Sequence, residues 1–335
     1  MESFARASCV TAALLAGCGG GSPTGVVQAF APTATHHDRG GSWMLRGANT
    51  QKKLLYISDW ATDDVYVYTY PNFVLQGQLT GFSKPYGQCV DADGNVWIAN
   101  YGGSTIVEYA HGVSTPTATL TTDGSPIGCA VSKTGNLAVA DFSTPSGPGN
   151  IEVFTNETGT PAEYSNASCD NLWPPGYDNK GNLWVFGTGS STNLCELPNQ
   201  GTALAPVAFA QKINAPGSIM WDGKYMAITD RAYKETQSTG IYQAQVSTAG
   251  LTVVSSTPLR DTCLGRFDLT PQPFVVGSQD TPLTKKEGTV VVGGNWLCAN
   301  RFALWAYPWP GGAPILLLSN APAEPYGESL SKVDK

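Results

Sequence analysis

Short apolar runs separated by Gly, Pro, Asn and Asp recur along the chain from residue 54 onward. Residues 54–59 form one such run, and in residues 65–70 β-branched and aromatic side chains alternate. Alternation of this kind, with a turn segment between consecutive runs, is typical of antiparallel strands. The pattern therefore predicts an all-β chain built from many short strands.

One sequence motif recurs along these runs and indicates how the strands are grouped. It reads from Asp91 to Asn100 around Asp-x-x-Gly-Asn, recurs at 178–186, and recurs more weakly at 132–141 and 221–230. Each copy contains a strand end, a Gly turn and a second strand. A spacing of roughly 40–50 residues between such copies indicates a β-propeller.

The C-terminal segment predicts how the propeller ring closes. Pro325-Tyr326-Gly327 repeats Pro85-Tyr86-Gly87, and the chain that follows is long enough for only one strand. The first unit, which starts at Leu54, lacks this innermost strand. We therefore expect a six-bladed β-propeller closed by pairing of the C-terminal strand with the first blade, with blades of about 47 residues.

The repeat units resemble NHL and YVTN-type propeller repeats. In those families Pro-x-Gly precedes Asp-x-x-Gly-Asn, then an aliphatic and an aromatic residue. The phrases at 54–59, 64–68 and 177–182 are also similar to a group of exported bacterial propeller lipoproteins. The resemblance implies a propeller fold and a location in the cell envelope, and it implies no activity.

The N-terminal segment has the features of an export signal. Residues 9–17 are apolar, and the sequence from Leu15 to Cys18 resembles a lipobox, in which the Cys18 thiol receives the lipid. We expect a signal peptide at 1–17, a flexible linker at 18–50 and the propeller at 51–335. The protein would then be lipid-anchored to the bacterial cell envelope, without spanning the membrane, or secreted. The alternatives are an ordinary cleavable signal and a misassigned start.

Composition excludes several classes of partner. The net charge is −7 and only 13% of the residues are charged. Nucleic-acid binding needs a basic face, so no nucleic-acid partner is expected. No stretch approaches the ~20 apolar residues of a membrane span, so membrane contact is expected through the lipid anchor only.

The cysteines suggest disulfides formed after export. Without Cys9 and Cys18, six remain, and they allow 15 pairings. Sequence proximity favours Cys169–Cys195 and Cys263–Cys298, which leaves Cys89–Cys129, two residues at equivalent places in adjacent blades. Free buried thiols are the alternative.

Polar residues end the second strand of five blades: Asp59, Asn100, Asp141, Asp230 and Asn295. Carboxylates and amides around a channel mouth have the chemistry to bind Ca²⁺. The other interpretation is that each side chain accepts backbone N–H bonds in the turn that follows. Recurrence in five blades favours the structural interpretation, and we assign no metal ligands.

Large side chains follow these strand ends and predict a binding surface. Strands alternate in direction, so the turns after the second strands lie on the same face as the crossings between blades. The candidate ligand-binding residues are Trp60, Tyr86, Tyr101, Phe142, Trp173, Arg231, Trp296 and Tyr326. Exposed aromatic rings suit sugars or peptides, whereas rings wedged between blades would belong to the core.

Signatures of catalysis are few. The histidines are His36, His37 and His111, and there is no Gly-x-Ser-x-Gly elbow. We therefore expect no catalytic residues and no cofactor, but an envelope-anchored binding or scaffold propeller that recognises a glycan, peptide or protein partner. The alternative is a channel-metal hydrolase or lyase resembling propeller lactonases or streptogramin lyases. Asn100 and Asp230 would supply two of its ligands, but no matching Glu is found.

Overall fold

The computed structural model describes residues 40–70, 72–235, 239–259, 268–269, 289–298, 301–308, 315–318 and 325–333. The predicted signal peptide at 1–17, Cys18 and Cys263 lie outside these ranges. Within them, no helix has the length and hydrophobicity needed to cross a membrane. Strands are numbered β1 to β27 in chain order.

The first sheet combines the beginning and the end of the described chain. Its strands are β1 (Trp43–Met44), β2 (Lys53–Asp59), β3 (Asp64–Thr69), β4 (Leu75–Leu79) and β27 (Pro325–Lys332). Their order in the sheet is β1-β4-β3-β2-β27. β27 pairs antiparallel with β2, and the register runs from Lys53 opposite Lys332 to Asp59 opposite Pro325.

Four more sheets follow with the same antiparallel plan and are described with their side chains. The second contains β5 (Pro85–Val90), β6 (Val96–Asn100), β7 (Thr105–Tyr109) and β8 (Pro116–Thr121). The third contains β9 (Pro126–Val131), β10 (Leu137–Asp141), β13 (Ile151–Phe154) and β14 (Ala162–Tyr164), and β11 (Ser143–Thr144) pairs with β12 (Gly147–Pro148) in the excursion between β10 and β13. The fourth contains β15 (Gly176–Tyr177), β16 (Leu183–Gly187), β17 (Asn193–Leu197) and β18 (Ala205–Val207). The fifth contains β19 (Pro216–Trp221), β20 (Met226–Asp230), β21 (Thr239–Ser247) and β22 (Gly250–Leu259).

A further four-stranded sheet is described by its backbone pairing alone. Its strands are β23 (Asp268–Leu269), β24 (Thr289–Cys298), β25 (Arg301–Pro308) and β26 (Ile315–Leu318). Short 3₁₀ turns occupy Ala48–Thr50, Tyr101–Gly103, Thr155–Glu157 and Tyr233–Glu235.

The sheets are arranged as a β-propeller, which confirms the all-β propeller prediction. The innermost strands lie side by side in the order β27, β5, β9, β15 and β19. Between consecutive sheets the apolar side chains form the core, and Trp97, Trp184 and Tyr56 are the largest that are fully buried.

The Asp-x-x-Gly-Asn repeat organises the turn between the first and second strand of a sheet. Asp91 Oδ1 accepts the backbone N–H groups of Asp93 and Asn95, and its Oδ2 accepts the Asn95 side chain. Asp178 makes the same three bonds with Lys180 and Asn182. The turn needs one residue in the left-handed backbone conformation, which Gly adopts at low energetic cost. Gly94 has φ of 85°.

The glycine of Pro-x-Gly lets neighbouring inner strands approach each other closely. A Cβ atom placed on Gly327 of β27 would collide with the backbone oxygen of Tyr86 in β5. One placed on Gly128 of β9 would lie 2.7 Å from Pro174 Cβ, just before β15. Any side chain here would force the sheets apart at their most crowded point.

Polar contacts attach β27 to the second sheet. Gln88 of β5 accepts a bond from the Ser329 hydroxyl (2.7 Å) and donates to Ser58 Oγ (2.7 Å). His111 bonds Ser331 Oγ through Nδ1 (2.5 Å) and the Gln51 carbonyl through Nε2 (2.7 Å). The C-terminal strand is thus bonded to side chains as well as to the β2 backbone.

Two predicted disulfides are present. Cys89–Cys129 connects β5 of the second sheet to β9 of the third. Cys169–Cys195 connects the segment before β15 to β17. The predicted Cys263–Cys298 pair stays a prediction, because Cys263 lies outside the described residues.

Part of the predicted 18–50 linker has regular structure. Met44 pairs with Gly77 of β4 and packs against the core, and Ala48 is 1% exposed. These residues therefore belong to the first sheet and its core. A two-residue strand in a Gly-rich stretch has no local signature, because its partner strand is distant in sequence.

Removing β27 tests its contribution to stability. Deletion of 324–335 removes Leu330 and leaves β2 without a partner along one edge. Each large buried apolar side chain contributes about 1.5–3 kcal/mol, and each kcal/mol corresponds to roughly 2–4 °C in a domain of this size. Loss of Leu330 alone should therefore lower the melting temperature, measured by circular dichroism, by about 3–12 °C, and loss of the backbone pairing with β2 should lower it further. Deletion of 19–39 is the control and should leave it nearly unchanged; equal melting of the full chain and the 324–335 deletion would contradict the prediction.

Candidate functional site: the aromatic face

Six aromatic side chains gather at the end of the sheets where the second strands finish. This aromatic face consists of Trp60, Tyr86, Tyr101, Phe142, Trp173 and Tyr326. All pack against one core cluster, in which Tyr86 is buried while the other five are half-buried. Trp296 belongs to the predicted set, but its side chain is not among those that the structure describes.

Trp60 is the centre of the larger group of rings. Its centroid lies 5.0 Å from that of Tyr326, with the two ring planes 25° apart. Tyr101 and Tyr86 lie 5.4 and 5.6 Å from Trp60, the latter edge to face. Lys84 places its ammonium 4.1 Å from the Trp60 centroid. Residues distant in sequence thus form one stacked cluster, as their positions after strands and at crossings predict.

The smaller group contains Trp173, Phe142 and Arg231. Phe142 meets Trp173 edge to face with centroids 6.0 Å apart, and the Arg231 guanidinium lies 4.2 Å from the Trp173 centroid. Arg231 Nε also donates to the Pro216 carbonyl (3.0 Å), and the Trp173 indole N–H donates to Thr188 Oγ1 (3.0 Å). These bonds fix the positions of the Arg231 guanidinium and the Trp173 indole.

The aromatic face is part core and part surface. Burial raises the pKa of Tyr86, although the Arg231 charge acts in the opposite direction. Tyr86 therefore stays a neutral phenol. The other five rings keep some exposure, so the two interpretations of the sequence each apply to part of the set.

The polar strand ends serve mainly as backbone acceptors. Asp59 Oδ1 accepts the Ala61 N–H (3.0 Å), and Asn100 Oδ1 accepts the Ser83 N–H (2.6 Å). Asp230 Oδ1 accepts the N–H groups of Ala215 (3.0 Å) and Ala232 (3.1 Å). Asn100 and Asp230, the two ligands suggested for a channel-metal enzyme, thus both bind backbone N–H groups.

Asp141 differs from its counterparts. Burial raises the pKa of its carboxyl to about 8, and the nearby Glu152 carboxylate adds to the rise. Burial likewise raises the pKa of Glu152 to about 7. Both residues are almost fully buried, and Asn150 lies beside them at 5% exposed. Sequence reasoning missed Asn150 and Glu152, although a glutamate inside a short buried strand was an available signal.

A second carboxylate cluster lies at the other end of the sheets. Oxygens of Asp91, Glu108 and Glu157 lie within 4.8 Å of one another. Hydrogen bonds from within the protein already reach them: Trp97 Nε1 donates to Glu157 Oε2 (2.6 Å), and Thr117 Oγ1 donates to Glu108 Oε2 (2.5 Å). This cluster is accounted for by local structure, and we assign it no ligand.

The one histidine with a described side chain has a structural role. His111 contacts the Ser331 hydroxyl, as a Ser–His pair would require. Ser331 is fully buried, and its hydroxyl also donates to the Gly94 carbonyl. A substrate cannot reach this hydroxyl, so the pair does not form a nucleophile.

Comparisons with known proteins support the fold alone. No protein-family model matches the chain, and no curated protein matches it. Among 736 matching chains of solved structures is one from a crystal structure of a nidogen/laminin complex. It aligns with a TM-score of 0.59 at 13% identity, over 83% of this chain and 98% of that chain. A fold shared so widely at such low identity does not specify a function.

The carboxyl of Glu157 predicts a pH dependence of stability. Burial raises its pKa to about 7 in the folded protein, so between about pH 4.5 and 7 the folded state holds more of its proton than the unfolded state. Stability is therefore lost as the pH rises through this window. Glu157→Gln can still accept the Trp97 bond and should gain thermal stability over the parent protein at pH 8 but not at pH 4, in melts at both values. A gain of equal size at both values would contradict this account.

Proposed function

We propose that this protein is a binding propeller that recognises a protein or peptide partner through its aromatic face. The observation that carries the proposal is the stack of Trp60 on Tyr326, with Lys84 beside the same ring. Large rings held in place lose little side-chain entropy on binding, and they provide extensive contact area. Aromatic and arginine side chains are enriched where proteins meet partners.

The ring geometry favours a protein or peptide over a glycan. A sugar stacks on an open ring face, but Tyr326 stacks on Trp60, and the Arg231 guanidinium lies over Trp173. Besides the partly exposed rings, two cations flank this surface: Lys84 is exposed and Arg231 is half-buried. Such groups suit backbone carbonyls and acidic side chains of a partner.

We propose further that the propeller carrying the aromatic face is a six-bladed ring completed by the C-terminal strand. The backbone pairing of β23 to β26 supports a sixth blade. The proximity of β24 to β27 and the pairing of β27 with β2 support closure through the first sheet. A ring of this kind would hold the aromatic face in a fixed shape, since no sheet edge between blades is free to move.

Substitutions on the aromatic face test the proposal. Peptides selected against the purified protein from a display library should bind with at least about tenfold lower affinity to Trp60→Ala, because hot-spot aromatic side chains contribute about 2 kcal/mol or more. They should also bind more weakly to Lys84→Ala, which removes the cation beside the same ring. Calorimetry or surface plasmon resonance gives the affinities. Lys84 is exposed, so Lys84→Ala should fold normally even if Trp60→Ala destabilises the domain.

Trp221→Ala is the matched control. Trp221 is also half-buried, but it is the last residue of β19, before the turn into β20, at the opposite end of its sheet from the aromatic face. Binding should survive this change. Selected peptides that bind all variants equally would refute the aromatic face as a binding site, and glycan-array signals lost in Trp60→Ala would identify a glycan partner instead.

The location in the cell envelope is a separate part of the proposal. The apolar run at 9–17 and the lipobox-like sequence ending at Cys18 support export and lipid attachment, and the two disulfides suit an oxidising compartment. Tethering would hold the propeller beside the membrane, within reach of other envelope proteins.

Replacing the predicted lipidated residue tests the anchor. In a bacterial host that processes lipoproteins, Cys18→Ser should move the protein from the membrane fraction to the soluble fraction, because no acyl chain is attached. Immunoblots of both fractions and the intact mass of the purified protein give the result. A variant that remains in the membrane fraction would show that Cys18 is not the anchor.

A further inference from the structure

Asp141 ends the second strand of its sheet. The side chains at the equivalent positions of other sheets accept hydrogen bonds from backbone N–H groups. Asp59, Asn100 and Asp230 each accept backbone N–H groups through a side-chain oxygen. Neither carboxylate oxygen of Asp141 has a well-formed hydrogen bond, although the Gly124 amide and the Thr122 hydroxyl lie close by. The Thr122 hydroxyl donates instead to the Gly124 carbonyl (3.4 Å).

The strand register places two more polar side chains beside Asp141. The Asp141 N–H donates to the Asn150 carbonyl (3.0 Å), and Val139 pairs with Glu152 across β10 and β13. Residues at alternate positions of a strand, and residues directly opposite on its neighbour, point to the same face of a sheet. Asp141, Asn150 and Glu152 therefore share one face.

Among the described residues, these three side chains present four buried acceptor atoms that make no well-formed hydrogen bond. The atoms are both carboxylate oxygens of Asp141, Oδ1 of Asn150 and Oε2 of Glu152. The residues are 0%, 5% and 1% exposed. Orphaned acceptors in such number are rare inside proteins, where buried polar groups are almost always paired.

The surroundings add negative charge. The Asp123 N–H donates to the other oxygen of Glu152 (2.7 Å). The charged neighbours that act on Asp141 and Glu152 are themselves carboxylates, those of Asp123 and Glu163. Buried carboxylates are costly unless a cation compensates them. The crossing from β8 to β9, which carries Asp123, covers the cluster.

We propose that Asp141, Asn150 and Glu152 form a binding site for a hard divalent cation, Ca²⁺ in the first place, beneath the β8–β9 crossing. Carboxylate and amide oxygens are the donors that Ca²⁺ prefers. Two carboxylates and a neutral amide offset the charge of one such ion. The site is independent of the aromatic face, and its role is to hold the β8–β9 crossing against the third sheet.

Calcium binding to the whole protein tests this directly. After treatment with EDTA and desalting, the protein should bind one Ca²⁺ in calorimetric titration, and its melting temperature should rise with Ca²⁺. Glu152→Gln and Asp141→Asn should each bind at least about tenfold more weakly, since ligand charge sets affinity in sites of this kind. In EDTA the two variants should melt no lower than the parent protein, because a buried uncompensated charge has been removed.

Glu157→Gln is the matched control, because it removes one carboxylate from the other acidic cluster and should leave Ca²⁺ binding unchanged. The proposal is overturned if the parent protein binds neither Ca²⁺, Mg²⁺ nor Mn²⁺ at up to about 10 mM, above the weakest affinities of extracellular modules. Protons shared between the two carboxyls would then replace the cation. It is also overturned if Glu152→Gln binds as the parent does, or if Glu157→Gln abolishes binding.

Discussion

The close approach of neighbouring inner strands is the constraint on which the rest of this structure depends. Gly327 and Gly128 stand where a Cβ atom would collide with the adjacent strand or crossing. With no side chain at these points, the sheets converge on the axis while their apolar faces pack against each other further out. The aromatic face is a consequence of this convergence, because rings such as Trp60 and Tyr326, from different strands, meet at the crowded end.

Much of the fold could be predicted because its signals are local. The Asp-x-x-Gly-Asn turn forms its hydrogen bonds within five residues, as Asp91 shows, so each copy predicts a strand pair wherever it occurs. Features that depend on distant partners were harder to predict. The β1 strand at Trp43–Met44 is defined only by its pairing with β4, and no local pattern in the linker-like sequence indicated it.

In the candidate sites, too, features with a local signal were predictable and features that depend on distant residues were not. Sequence position placed Trp60 and Tyr101 on one face, because both follow the end of a second strand. It could not tell which ring faces would be covered, since that depends on side-chain packing between sheets. The cluster of Asp141, Asn150 and Glu152 needed the register of β10 against β13, and a shift of one residue would have placed Glu152 on the opposite face.

The pairing of β27 with β2 also sets the order in which the chain can fold. Residues 53–59 are made early but find their partner only after residue 332 has been made. Until then one long edge of β2 stays open, while the second to fifth sheets can form from nearby segments. Contacts between residues so distant in sequence slow folding, and they prolong the exposure of unpaired strand edges that can aggregate. The arrival of residues 325–332 therefore governs when the first sheet can be completed.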